Sequence, residues 1–167
     1  GALRDSKLPQ RRPVGGPRLR QVRHHSGRGP DVCHCQRRGA GRLAAEGERL
    51  LERVADFFRE YRPVASLLHG DLWGGSHGVL CDGAPVIFDP AVYYGDRETD
   101  LAMTELFGGY GPGFYAAYRE AWPLDPGYRV RRDLYNLYHV LNHFNLFGGG
   151  YGDQAQRMID TLLAAVR

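Results

Sequence analysis

Apolar side chains recur at helical spacing from residue 43 onward. Leu43, Leu50, Leu51, Val54, Phe57 and Phe58 share one face of LAAEGERLLERVADFFREY, with Glu46, Glu48, Glu52 and Arg59 mostly off it. The spacing predicts an amphipathic helix over about 43–61, stopped by Pro63. Ala65-Ser66-Leu67-Leu68 reads as a short buried strand running into His69-Gly70-Asp71. Gly78-Val79-Leu80-Cys81 and Pro85-Val86-Ile87-Phe88 flank Asp82-Gly83, a strong hairpin signal, so Asp71 and Asp89 are expected at neighbouring ends of one small sheet. Helices are then expected over Asp100–Phe107, ended by Gly108-Gly109, and over Phe114–Trp122, ended by Pro123. A long helix over about 128–147 carries a Val130, Leu134, Leu137, Leu141, Phe144 stripe and stops at Gly148-Gly149-Gly150. A last helix, about 153–166, buries Ala155, Met158, Ile159, Leu162 and Leu163. The fold class implied is mainly α with a small β-hairpin or sheet (α+β), with no internal repeat.

Residues 1–42 do not continue this pattern. They hold eleven Lys or Arg against Asp5 and Asp31, a charge of +9, whereas the remaining residues carry −6. All 19 aromatic residues lie after residue 42. A segment this poor in large apolar groups cannot offset the entropy of ordering its backbone, and it is expected to be mostly coil. Such a basic tail could meet phosphates, but without aromatic groups for base stacking or a reading motif, nucleic-acid binding is disfavoured. Cys33-His34-Cys35 lacks the second ligand pair that a closed zinc site needs, and chance clustering is the simpler reading.

No apolar run approaches the length of a membrane span, and GALRDSKLPQ lacks a signal-peptide core, so a cytoplasmic location is expected. Three cysteines, Cys33, Cys35 and Cys81, build no disulfide framework. The chain starts at Gly1 and its only methionines are Met103 and Met158, which suggests a fragment. The domain reading is a basic, disordered or aberrant segment 1–42 followed by a catalytic lobe over 43–167.

Chemistry concentrates in His69-Gly70-Asp71-Leu72-Trp73-Gly74-Gly75-Ser76 and, after the hairpin, Ile87-Phe88-Asp89-Pro90-Ala91. Phosphoryl transfer needs one carboxylate to take the acceptor hydroxyl's proton and another to hold a metal on the nucleotide phosphates. A loop Asp, a strand–turn–strand and a second Asp supply that pair. Kinase catalytic loops follow H-R-D-x-x-x-x-N with a later metal-binding Asp, and here the first three letters read H-G-D. On spacing alone such a pair is as readily structural as catalytic. His139 and His143, four apart on one helix, have metal-ligand spacing, but hydrogen-bonded core histidines are the simpler reading.

The runs HGDLWGG, PVIFDPAVYYGDRETDLAMTELFGG and FYAAYREAWPLDPGYRVRRDLYNLYHVLNHFNLFGGGY resemble the fructosamine kinase (ketosamine 3-kinase) family, an aminoglycoside phosphotransferase-like branch of the protein-kinase-like fold, over about residues 40–167. The resemblance implies the helical C-terminal lobe of that fold and ATP- and Mg2+-dependent phosphorylation of the sugar 3-hydroxyl of fructosamine adducts on small amines or proteins, a repair of glycation. It implies Asp71 as general base, His69 as the loop histidine that fixes the catalytic turn, Asp89 as metal ligand, and Asp100 as the acid that braces the loop. Trp73 would wall the sugar site or sit in the core. Glu98, Asn136, His139 and Asn142 lie in matching segments, as substrate contacts or as buried hydrogen-bonding groups.

Three departures accompany the resemblance. Ser76 stands where the family's catalytic motif ends in a magnesium-coordinating Asn, and His77-Gly78 departs from the usual continuation. No glycine-rich strand–loop–strand precedes the catalytic loop, and the sole lysine, Lys7, lies in the polar tail. This lobe alone is therefore expected to be inactive. One expectation is that residues 1–42 are an out-of-frame reading of a GC-rich gene, an idea that fails if the other frames of the encoding DNA upstream of residue 43 contain nothing kinase-like. Two rivals stay open: a non-catalytic sugar-amine-binding module lined by Trp73, Tyr93, Tyr94 and Tyr138, and another aminoglycoside- or choline-kinase-like phosphotransferase. Oligomeric state is not legible at this level.

Overall fold

The computed structural model describes residues 41–166, so residues 1–40 of the basic segment, with the Cys33-His34-Cys35 cluster, lie outside the described residues, while Gly41 and Arg42, expected as coil, already belong to a helix. Helix α1 spans Gly41–Arg53 and tightens into a 3-10 turn over Val54–Phe58, so the predicted helix ends before residue 61. Asp56 draws in both Arg53 and Arg59, and Arg53 also binds the backbone carbonyl of Val166. Arg62 Nη1 donates to the Phe58 carbonyl at 3.0 Å, satisfying an acceptor that the helix end leaves open.

Four strands follow: β1 Ala65–Leu68, β2 His77–Val79, β3 Pro85–Ile87 and β4 Tyr93–Asp96. They form two separate antiparallel pairs, β1 with β4 and β2 with β3, where one small sheet was expected. The partner of β1 is a Tyr-Tyr-Gly-Asp segment whose glycine masks its strand character. Gly95 sits so close to its neighbours that a Cβ there would come within 2.9 Å of both Leu68 and Tyr93. Of β1 only Leu68 is buried, so the strand is less buried than its apolar letters suggest. The hairpin turn forms as expected, with Gly83 at φ +87° and Asp82 Oδ1 accepting from the Ala84 amide.

Helices α2 (Arg97–Leu106), α3 (Pro112–Ala121), α4 (Tyr128–Phe147) and α5 (Tyr151–Ala165) complete the chain, with Pro112 at the first turn of α3. One core joins Leu43, Leu50, Phe57 and Phe58 to Leu137, Val140 and Phe144 of α4 and to Ala155, Ile159 and Leu162 of α5. Val130, expected in the α4 stripe, is exposed, while Val140 is completely buried. Leu51 is exposed too, because α5 covers only the Leu43–Leu50 edge of α1. A mainly helical body with two small β-ribbons matches the α+β reading. Helix α2 links the halves: its Ala102 carbonyl accepts from Asn136 Nδ2 of α4 at 2.9 Å, and its first turn faces the loop after β1.

Candidate active site

His69 is the hub of the loop after β1. Its Nε2 donates to the Phe88 carbonyl at 3.0 Å, which places the proton on Nε2 and leaves Nδ1 to accept from the Asp71 amide at 3.3 Å. Its own carbonyl accepts from the Ala91 amide at 2.7 Å. One residue thereby grips the backbone on both sides of Asp89 and the backbone of Asp71. Gly70 makes the approach possible: at φ +82° a Cβ would lie 2.1 Å from the Ala91 carbonyl oxygen.

Asp100, in the first turn of α2, holds the same loop from below. Oδ2 accepts from the His69 amide at 2.7 Å and Oδ1 from the Gly70 amide at 2.8 Å. Burial pushes its carboxyl above the usual range, while those two amides favour the charged form.

Asp89 has φ +54° and is the only described non-glycine residue in the left-handed region. The conformation persists because both flanks are tied. Phe88 donates its amide to the Ser76 carbonyl at 3.1 Å and gives its own carbonyl to His69, while Ala91 is held by His69. Asp71 is half-buried and Asp89 exposed. Among the described residues no arginine pairs with either carboxylate. No trio of His, Cys, Asp or Glu gathers to cage a metal among them either. Two unpaired carboxylates in adjacent loops suit Mg2+, which commonly takes one or two protein carboxylates and completes its shell with phosphate oxygens and water.

A profile of the family described as fructosamine kinase matches residues 30–165. The chain belongs to the fructosamine kinase family. It is 54% identical over 114 residues to a protein assigned as a probable ketoamine kinase of Synechocystis sp., covering 68% of this chain and 39% of that protein. It is 45% identical over 132 residues to the chloroplastic protein-ribulosamine 3-kinase of Oryza sativa subsp. indica, covering 79% and 38% of the two. The crystal structure of a protein assigned as a fructosamine-3-kinase from Thermobifida fusca superposes with TM-score 0.70 at 33% identity, over 81% of this chain and 47% of that one. The chain thus spans about two fifths of the length of the curated relatives it matches. The family match also reaches back to residue 30, into the basic segment and ten residues beyond the start of the resemblance read at about residue 40.

Within this member of the fructosamine kinase family the remaining candidates fall in different places. Trp73 is 41% exposed, its ring lying over Gly75, and so can wall an open site rather than fill a core. Ser76 is buried beside Phe88, where the β2–β3 ladder runs on towards Asp89. Glu98 is placed as a buried hydrogen-bonding group. It is wholly buried, and its two oxygens accept from Arg131 Nε and Nη2 at 2.7 and 2.9 Å. Burial raises its carboxyl, and the Arg131 contact opposes that. Arg131, despite a desolvation that works against its charge, is held cationic above its ordinary range by Glu98 and Asp125. Asn136 is likewise buried: its Nδ2 donates to the Ala102 carbonyl, and its Oδ1 has no hydrogen-bond partner among the described residues. His139 stands edge-on to Tyr138 and accepts from His143 Nδ1 through its carbonyl. His143 stacks against Phe107, Phe147 and Tyr151, and both histidines are half-buried beside the core. Tyr93 and Tyr94, adjacent in β4, point to opposite faces of the ribbon, so they cannot line one sugar pocket together.

Sequence reasoning missed Asp96 and Arg131. Asp96 caps α2 through the Glu98 amide and accepts from the hydroxyls of Tyr61 and Tyr135 at 2.9 and 2.7 Å. Arg131 also lies 3.7 Å from the centre of the Tyr61 ring. The signals were an Asp two residues before a buried Glu, and an Arg beside the apolar stripe of α4.

Proposed function

We propose that the protein of which this lobe is part phosphorylates the sugar 3-hydroxyl of ketoamine adducts, fructosamines and ribulosamines, with ATP as donor. The observation that carries this reading is the clamp of His69 on both carboxylate loops, which sets Asp71 and Asp89 on adjoining backbone segments. Asp71 takes the proton from the attacking hydroxyl. His69, fixed in one tautomer, orients the Asp71 turn and moves no proton itself. Asp89 would hold Mg2+, with Ser76 beside it, and the cation would neutralise charge on the phosphate oxygens. Trp73, open to solvent, would give the sugar ring an apolar wall.

Clamping the nucleotide phosphates would fall to the part of the relatives outside this match. The lobe alone is therefore expected to show negligible turnover with ATP, Mg2+ and a fructosylated amine, since positioning provides most of the rate in this chemistry. The decisive experiment is a chimera in which the matched stretch of the Synechocystis relative is replaced by the corresponding residues of this chain. ATP-dependent phosphorylation of a fructosylated amine, falling by about 10²–10⁴ in Asp71→Asn, is the expected result. A folded, ATP-binding chimera without phosphorylation would overturn the reading.

A further inference from the structure

Helices α2, α3 and α4 enclose a groove of about 280 Å³ that shares no residue with the Asp71 and Asp89 loops. Leu101, Leu124, Tyr115 and Tyr128 supply its apolar and aromatic walls, and Glu105, Arg119, Arg129 and Arg132 its charge. The single acid is fully engaged. Glu105 Oε1 accepts from the Tyr128 hydroxyl at 2.6 Å, and Oε2 accepts from Arg132 Nη1 at 2.9 Å. Arg132 in turn gives its Nε to Asp133 at 2.9 Å. Among the described residues neither Arg119 nor Arg129 has an ion-pair partner, with Glu105 or any other acid. Two arginines without ion-pair partners line one small concave surface, although the chain after residue 42 carries a net negative charge.

We propose that this groove binds a small organic or inorganic dianion through Arg119 and Arg129. Guanidinium forks match phosphate and carboxylate oxygens in pairs, a geometry that neither group finds within the fold. The groove lies just below the roughly 300–1,000 Å³ typical of small-molecule pockets, which suits a compact ligand. Tyr115 and Tyr128 provide flat faces for its carbon skeleton, and the Tyr128–Glu105–Arg132 chain keeps the floor rigid.

The test is titration of the 167-residue chain with inorganic phosphate and, separately, with succinate, against chloride at matched ionic strength, read by side-chain NMR of the arginine Nε groups. Saturable shifts confined to Arg119 and Arg129 are expected with at least one of the two dianions and not with chloride. Phosphate alone would mark a phosphate-ester ligand; succinate alone would mark a dicarboxylate. Arg119→Ala with Arg129→Ala should weaken binding by at least about tenfold with unchanged circular dichroism, because both side chains are exposed. The charge-preserving Arg119→Lys and Arg129→Lys pair should fall between the two. Shifts that track ionic strength alone, or binding unaltered in the double alanine variant, would overturn the proposal.

Discussion

At the scale of single residues, the site depends on backbone that ordinary side chains would not permit. Gly70→Ala would force a methyl group into the Ala91 carbonyl and require a left-handed alanine, so a loss of about 1–3 kcal/mol is expected from the backbone alone. Thermal unfolding of the variant checks it, and an unchanged midpoint would show that the two loops are not in contact. Asp100→Ala leaves the His69 and Gly70 amides without their acceptor. Those two amides should then exchange with solvent faster than in the parent chain while the α4–α5 core keeps its protection, a pattern that hydrogen-exchange NMR resolves residue by residue. Asp89 was legible in the sequence as a carboxylate following a hairpin. Its left-handed backbone was not, because it arises from contacts with His69 and Ser76, residues distant in the chain.

Between elements, the Arg131–Glu98–Asp125 cluster decides how α2 meets α4. Arg131→Met alone strands the Glu98 charge in the core and is expected to cost about 3–5 kcal/mol, whereas Glu98→Leu alone leaves Arg131 its Asp125 partner and should cost less. The double change to Glu98→Leu with Arg131→Met removes both charges and should recover much of that loss, which urea unfolding would measure. Additive losses in the double variant would mean that the pair is not coupled. The sequence marked Glu98 as a site candidate, since a family resemblance singles out polar residues without saying which way they face. The element boundaries were read to within a few residues wherever Pro or Gly punctuates the chain, as at Pro63, Pro123 and Gly148. The partner of β1 was missed, because pairing between strands so far apart in the chain is set by packing rather than by local pattern.

For the whole molecule, the tyrosines give a pH signature. Burial, with the nearby Asp100 carboxylate, pushes the Tyr93 phenol up from 10.0 to about 12. Burial together with the Asp96 or Glu105 carboxylate lifts Tyr61, Tyr128 and Tyr135 well above their ordinary value. All four shifts are upward, so above pH 10 the unfolded chain releases protons that the folded chain retains. Their contribution to stability is fully present below pH 10 and is lost as pH rises through the folded values. Phenolate absorbance should therefore rise in step with loss of helical circular dichroism under alkali, and four freely titrating tyrosines near pH 10 would contradict this burial. Core truncation gives an independent check: Ile159→Ala, at the centre of the three-helix core, is expected to cost about 2–5 kcal/mol.

The sequence by itself determined the helices, the hairpin, the change in composition at residue 42 and the family, because periodicity, turn residues and contiguous motifs are local properties that survive without coordinates. Only the tertiary structure decided which polar groups are spent inside the fold and which remain open. Glu98, and Asn136 through its Nδ2, found buried partners across the α2–α4 contact, whereas Asp71, Asp89, Arg119 and Arg129 did not. That difference follows from burial, which makes an unpaired charge or amide costly and therefore depends on neighbours that the chain order does not reveal.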